Sequence, residues 1–457
     1  MFLVKMGEKF DGFARRNIPD PLSIALMLTV VLAFIALVLT GSGPVGVVQA
    51  WSKGFWGFLG FSMQVSLSMV AGAVIFNAPA VKKVMARLCS IPQTSRQAGI
   101  FLFAAVFILL WLNWGIGFIS VPFLTKEVAI QLNKKNVPYH LPFLAAAAFA
   151  GNVSYGGSWN SAALILVGTP GNFAEEAMGL VPLAQAVLSN INIIALVALF
   201  VVGIIIFYFL SPVDTSKFVM SDFGEGDAEA TAKTAQPPAK PTTFAEKFDN
   251  IWIWGVFLVI FWAIWFYMLM RDVGLNAINL DVANITLIVF GILLWKYPLS
   301  YYKSFREYTP AAASVMLQFH FYAGIMGIMR YTGLVEVVSD AFAAISNATI
   351  YPVMAYLATG VINFAIPSGG GGWAAQGAVL VTTAQQLGSD LFLTTMAYCH
   401  ADAIFNLFLP FWMLPTAAIL KLQVRDIMGY TAAAGVFLVL TAITTIGLAA
   451  YGILPVR

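Results

Sequence analysis

Four stretches of this chain place glycine, asparagine and serine inside long apolar runs. They are Asn113 to Gly117, Gly151 to Asn160, Asn363 to Gly372 and His400 to Asn406. Glycine-rich backbone inside a membrane exposes amides and carbonyls that lipid cannot hydrogen-bond, so such breaks persist only where they line a cavity in the protein. Half-helix N-termini there offer N–H groups and a positive dipole end, which suits a carboxylate. Unwound carbonyls and Asn or Ser oxygens suit a sodium ion. A carboxylate site is therefore expected at Ser368, Gly369, Gly370, Gly371 and Asn406, with Gly157, Ser158 and Asn160 contributed by the other half. A coupling cation, Na⁺ or H⁺, is expected at Asn113, Gly115, Asn363 and Asp402, with His400 as a donor beside Asp402 and Na⁺ at Asn113 and Asn363. The helix beyond the glycines is expected to begin just after them. The competing reading is that the glycines only allow close helix packing, and it is stronger for Gly156-Gly157 than for Gly369 to Gly372.

Charged residues within apolar spans are functional candidates. Asp402 stands deep in one such span and must be protonated, paired or cation-bound. His320 reads as a packing residue, and Arg271 and Arg330 sit near span ends where they snorkel. No arginine is embedded where it would clamp a substrate carboxylate. The sequence has no GxSxG elbow, HExxH, Walker loop or GxGxxG after a strand, so an enzyme is not expected. Cys89 and Cys399 carry no metal or disulfide spacing.

The elements that position these groups follow from composition. Of 457 residues 60% are hydrophobic and 10% are charged, with mean hydropathy +0.85. Soluble domains carry about 25% charged residues. An all-α polytopic membrane protein is expected, embedded in a lipid bilayer and with no nucleic-acid partner. Spans are predicted at 22–41, 54–79, 140–178, 184–210, 250–270, 279–297, 311–331, 391–420 and 429–453, about nine crossings. Two further segments, 98–130 and 350–387, are interrupted near their middles. Lys82, Lys83, Arg87 and Arg96 precede the first, and Lys126, Lys134 and Lys135 follow it, so both its flanks are cytoplasmic by the positive-inside rule. The flanks of the second are poor in Lys and Arg. Two opposed re-entrant hairpins result, an inner and an outer, with the N-terminus cytoplasmic and the C-terminus periplasmic.

Residues 1–21 form a cytoplasmic lead-in. Residues 212–249, with Pro237, Pro238 and Pro241 among acidic side chains, read as a cytoplasmic flexible linker between the repeats 22–211 and 271–457. Gln64 and Gln318, Asn113 and Asn363, and Asn160 and Asn406 keep their order across the two halves. The single span 250–270 supplies the inversion. Inverted repeats of this kind place a transporter's site at their interface.

These motifs resemble those of the short-chain fatty acid transporter family, the bacterial permeases for acetoacetate and butyrate. The resemblance runs through Pro19-Asp20-Pro21-Leu22, Gly54-Phe55-Trp56, Asn113-Trp114-Gly115, Thr169-Pro170-Gly171-Asn172, Phe321 to Ile325, Asn363-Phe364-Ala365, Pro367 to Gly371, Pro410-Phe411-Trp412 and Arg425 to Tyr430. It implies cation-coupled uptake of a short-chain carboxylate across the bacterial inner membrane. Through the wider ion transporter superfamily it also implies a homodimer with elevator motion of a hairpin-bearing domain. Asp402-Ala403-Ile404 stands where the family usually has Glu-Gln-Trp, and Leu409 where it usually has Gln. These departures leave substrate choice within the family open; a carrier for a dicarboxylate or amino acid is the rival reading, against which the missing amides and arginine weigh. A channel is disfavoured for want of a continuous polar stripe.

Overall fold

The structure, a computed structural model, describes residues 21–212, 218–221, 223, 243–364 and 366–457. Most of the expected N-terminal lead-in and much of the expected linker lie outside the described residues. Helices of ten or more residues are numbered in chain order. The first eight are α1 (Pro21–Leu39), α2 (Gly43–Phe55), α3 (Leu59–Phe76), α4 (Pro79–Cys89), α5 (Ser95–Leu112), α6 (Trp114–Lys134), α7 (Leu141–Ala150) and α8 (Asn190–Leu210). Then come α9 (Ile253–Asp272), α10 (Leu280–Trp295), α11 (Pro298–Tyr308), α12 (Ala313–Tyr331), α13 (Leu334–Ala343), α14 (Tyr351–Asn363), α15 (Gly369–Leu387), α16 (Leu391–Phe405) and α17 (Val424–Ala450).

The same order of elements occurs twice, on either side of α9. A long apolar helix, a short helix, a second long helix and a short amphipathic helix lead to a pair of helices joined at a break. A helix ending in a 3-10 turn and a final long helix close each half. The first half is α1–α8 and the second α10–α17. Of α9, only Gly255 is buried. Its side chains are almost all apolar, as a helix facing lipid requires.

By length and composition, six stretches among the described residues could cross a membrane: Gly43–Phe76, Ser95–Leu112, Trp114–Lys134, Asn190–Leu210, Phe244–Asp272 and Val424–Ala450. Part of α1 (Ala25–Leu39) and α10 are shorter apolar helices. The spans predicted at 140–178 and 391–420 are each interrupted, as the glycine and polar residues within them lead one to expect. The first runs from α7 into a 3-10 turn, Gly151–Gly157, and then a short helix, Ala162–Val167. The second runs from α16 through 3-10 turns at Asn406–Phe408 and Phe411–Met413 into Leu414–Ile419.

Packing sorts the helices into two layers. α5 packs on α6, α7 and α8, α14 and α15 pack on α16, and α17 lies against α7, α8 and α16. The 3-10 turn after α7 is wedged between α5 and α16. Phe103, Phe143, Phe149, Phe207, Trp373 and Tyr398 are fully buried in this bundle. In lipid such rings hold the bundle through close packing rather than through removal from water. The other layer is built on α12, which packs on α1, α2 and α3, with α10 against α3. It meets the bundle where α3 touches α6 and where α12 and α13 touch α15.

Candidate functional site

The two helical pairs break differently. In the first pair the break is one residue. Asn113 leaves the helix (φ −156°, ψ 128°), ends α5 and caps α6, its Oδ1 accepting the Ile116 N–H at 3.0 Å. In the second pair Asn363 ends α14 and Ser368 caps α15, its Oγ accepting the Gly371 N–H at 3.2 Å. The roles that Asn113 combines are thus split between Asn363 and Ser368. Asn and Ser caps of this kind contribute about 1 kcal/mol each.

The glycines are not an unwound tip. Gly369 to Gly372 form the first turn of α15, so the helix begins at them rather than after them. The reason is crowding. A Cβ on Gly370 would lie 2.8 Å from the Phe319 ring, one on Gly371 2.6 Å from Tyr322, and one on Gly372 2.7 Å from Tyr398 Oη. Close packing, the competing reading, accounts for these three. Gly369 is different: its Cβ would lie 2.9 Å from both Asp402 Oδ2 and Tyr155 Oη. Tyr398 Oη donates to the Gly369 carbonyl at 2.6 Å and fixes this turn.

Between the two breaks lies a cavity of about 90 Å³. A buried water needs roughly 10–15 Å³ by this measure, so there is room for on the order of six to nine waters or one small ligand. Its polar lining comes from Ser68, Asn152, Tyr155, Asn160, Ser368, Asp402 and Asn406, with the backbone of Gly369 and Gly370. Val65, Leu110, Phe149, Val315 and Phe319 supply apolar walls, and Trp114, Phe118 and Trp412 an aromatic one. The first amides of a helix have no carbonyl four residues back to bond. The N-termini of α6 and α15 both open here, and each brings the positive end of a helix dipole to the cavity wall.

Side-chain amides fix both breaks. Ser68 Oγ accepts from Asn113 Nδ2 at 3.0 Å and from Asn160 Nδ2 at 3.1 Å, while Asn160 Oδ1 accepts the Trp114 N–H at 3.2 Å. In the other half Asn363 Nδ2 donates to Asn406 Oδ1 at 2.9 Å and to the Asp402 carbonyl at 3.1 Å. Asn363 Oδ1 is buried with no donor. An orphan carbonyl-type oxygen in an apolar setting is the kind of ligand a cation takes. Trp412 joins the two breaks: Nε1 donates to the Pro367 carbonyl at 3.0 Å, and the ring meets Trp114 edge-on at 6.2 Å and Phe118 at 5.5 Å.

Of the residues expected from sequence, Asn160, Ser368, Gly369, Gly370, Asp402 and Asn406 line the cavity. The others stand behind it. Gly371 is covered by Tyr322, Gly115 by the Met69 backbone, and Gly157 by Asn192, whose Nδ2 donates to the Gly157 carbonyl at 3.0 Å. Ser158 is fully buried, its Oγ accepting the Asn160 N–H at 3.2 Å. Asn113 and Asn363 hold the breaks from behind the lining. His400 is 1% exposed with neither ring nitrogen bonded, so it is not a donor to Asp402. Two residues apart on a helix they point to different sides. His320 lies outside the cavity, stacked on Phe55 at 5.5 Å.

Sequence reasoning missed Ser68, Tyr155 and Trp412 as lining groups. Tyr155 lies inside the glycine-rich stretch 151–160, which was its signal. Ser68 is one of several serines on an otherwise apolar α3 and carries no local signal.

Comparison with known proteins agrees with this architecture. Residues 2–450 match the family model described as short chain fatty acid transporter. A protein of Escherichia coli K12 provisionally named a short-chain fatty acid transporter is 32% identical over 429 residues, covering 93% of this chain and 95% of its own. One of Haemophilus influenzae with the same provisional name is 32% identical over 444 residues, with the same coverage. Among solved structures, the Alcanivorax borkumensis YdaH transporter aligns with a TM-score of 0.64 at 13% identity, over 95% of this chain and 99% of its own. Neisseria gonorrhoeae MtrF, described as illuminating a class of antimetabolite efflux pumps, gives 0.59 at 15% identity over 98% and 97%. The two structures share the all-helical transporter fold, and sequence supplies the rest: this membrane-embedded chain is not an enzyme and belongs to the short-chain fatty acid transporter family.

Proposed function

We propose that the chain is a cation-coupled carrier taking short-chain monocarboxylates such as butyrate or acetoacetate across the bacterial inner membrane. The observation that carries this reading is the convergence of two helix N-termini on one small, mostly apolar cavity. The carboxylate lies against the amides of Gly369 and Gly370, with Ser368, Asn160 and Asn406 as side-chain partners. The short tail fills the space among Val65, Val315 and Phe319. The cavity's size and its lack of an arginine weigh against a dicarboxylate or an amino acid.

Asp402 beside this cavity is the coupling group. An ionised carboxylate there repels the substrate and is costly to desolvate, so it takes a proton, or a cation bound nearby, together with the substrate. Na⁺ is the alternative coupling ion, with Asn363 Oδ1 as one of its oxygens. In the wider reading the two helical pairs are re-entrant from opposite faces and the halves are inverted repeats. The N-terminus is then cytoplasmic and the C-terminus periplasmic. The bundle holding both breaks moves as an elevator against the α12 layer in each subunit of a homodimer.

The size argument is tested by ligand-induced stabilisation of the purified protein across a series of straight-chain acids. Binding raises the melting temperature by mass action. Shifts are expected for acids of about two to six carbons, fading for longer ones as a cavity with room for on the order of six to nine waters fills. Equal shifts for dicarboxylates, or none for any monocarboxylate, would overturn the reading.

A further inference from the structure

Within the segment expected to be a flexible linker, residues 218–221 and 223 are docked. Phe218 to Ser221 and Phe223 lie across the feet of α6 and α7. The Leu141 N–H donates to the Val219 carbonyl at 2.9 Å, and Tyr139 Oη and Ser221 Oγ are 2.7 Å apart. Asn133 Nδ2, near the end of α6, donates to the carbonyls of Ser221 and Phe223 at 3.0 and 3.1 Å. Phe223 is 5% exposed, with Lys126 Nζ 5.2 Å from its ring centre. The strap therefore ties the second arm of the first helical pair to α7.

One contact can be switched. The Val219 N–H donates to His140 Nδ1 at 3.1 Å. A backbone N–H can only donate, so this nitrogen must carry no proton while the strap is docked. Protonation turns Nδ1 into a second donor facing the first, and the hydrogen bond becomes a repulsion. The groups that face His140 are Asp426 and Tyr430 of α17 and Phe218 of the strap itself. Asp426 caps the start of α17, accepting the Gln423 N–H at 3.0 Å.

We infer that residues 218–221 with Phe223 form a pH-released strap, docked while His140 is neutral and freed when Nδ1 takes a proton, so that acidity on this face removes the strap's ties between the feet of α6 and α7. Histidine is the side chain whose charge ordinarily changes near neutrality. Freeing the foot of α6 loosens the helix whose N-terminus forms the cavity. That consequence rests on the transport reading; the docking does not.

The test is a nitroxide on Met220→Cys in the full chain, since Met220 is 46% exposed and both native cysteines are buried. Spectra are read from about pH 8 to about pH 4, because burial of the His140 ring lowers its titration below the ordinary imidazole range while the Asp426 charge opposes that shift. The expected result is an immobilised label at high pH that becomes mobile in a single transition on acidification. His140→Gln keeps an acceptor that does not titrate, so its label should stay immobilised throughout. Asp426→Asn removes a charge favouring the protonated ring and should lower the midpoint by roughly half a pH unit. A wild-type label indifferent to pH would overturn the inference. So would a His140→Gln label that titrates like wild type, or an Asp426→Asn midpoint that stays or rises. None of these readings involves uptake, so they stand apart from any failure of the carrier assignment.

Discussion

Asn363 gives both its amide hydrogens to the unwound end of α16, one to Asn406 Oδ1 at 2.9 Å and one to the Asp402 carbonyl at 3.1 Å, and leaves its own oxygen buried without a donor. That pair joins the second helical break to the helix carrying Asp402, the one acidic group among the described residues that line the cavity. Asn363→Ala removes the tie and the orphan oxygen together. A lost buried hydrogen bond costs about 1–1.5 kcal/mol, and each 1.4 kcal/mol is tenfold in affinity. Half-saturation by the coupling cation should therefore rise roughly tenfold in a cation titration of uptake. An unchanged titration would remove Asn363 from the cation's path.

Asp402→Asn keeps the shape of the cavity and abolishes its titratable charge. Substrate-induced stabilisation should persist, while accumulation driven by an imposed cation gradient should be lost. Exchange of labelled for unlabelled substrate, which needs no net cation movement, should survive. Gradient-driven accumulation at the wild-type level would show that coupling lies elsewhere.

Gly369→Ala places a methyl carbon 2.9 Å from Asp402 Oδ2 and Tyr155 Oη, where one of the three must shift. Helix propensity itself gains from the change by about 1 kcal/mol. Melting temperature should hold or fall only slightly while substrate binding drops at least tenfold. Loss of folding without a separable binding defect would return Gly369 to a packing role like that of its three neighbours.

Trp412→Phe keeps a ring between the two breaks and deletes the N–H that holds the Pro367 carbonyl at 3.0 Å. A net loss of about 1 kcal/mol should appear as a several-fold rise in KM with little change in maximal rate. Trp412→Ala should do worse on both. Equal kinetics for wild type and Trp412→Phe would show that the hydrogen bond does not position the site.

Much of this was legible in the chain, for physical reasons. Breaks near Asn113, Gly151, Asn363 and Asn406 follow from polar and glycine residues where a continuous helix would otherwise be buried in lipid. What sequence could not give is direction. Glycine signals freedom of backbone or closeness of neighbours, and only the positions of Phe319, Tyr322 and Tyr398 decide for closeness at Gly370 to Gly372. His400 and Asp402 looked like partners because they are two apart, yet a helix turns them to different sides. The cap at Ser368 was hidden because Asn113 does in one residue what the second half does in two. The strap at 218–221 and Phe223 was missed because its ties are to Tyr139, His140 and Asn133, distant in sequence, and the segment's own composition is that of a linker.

Coupled carriage is decided by uptake of radiolabelled butyrate or acetoacetate into proteoliposomes of the purified chain, under imposed proton and sodium gradients. Concentrative uptake is predicted that collapses when the coupling gradient is dissipated and is competed by other short monocarboxylates. Absence of gradient-dependent uptake of any short monocarboxylate, by protein that is folded and inserted, would contradict the account.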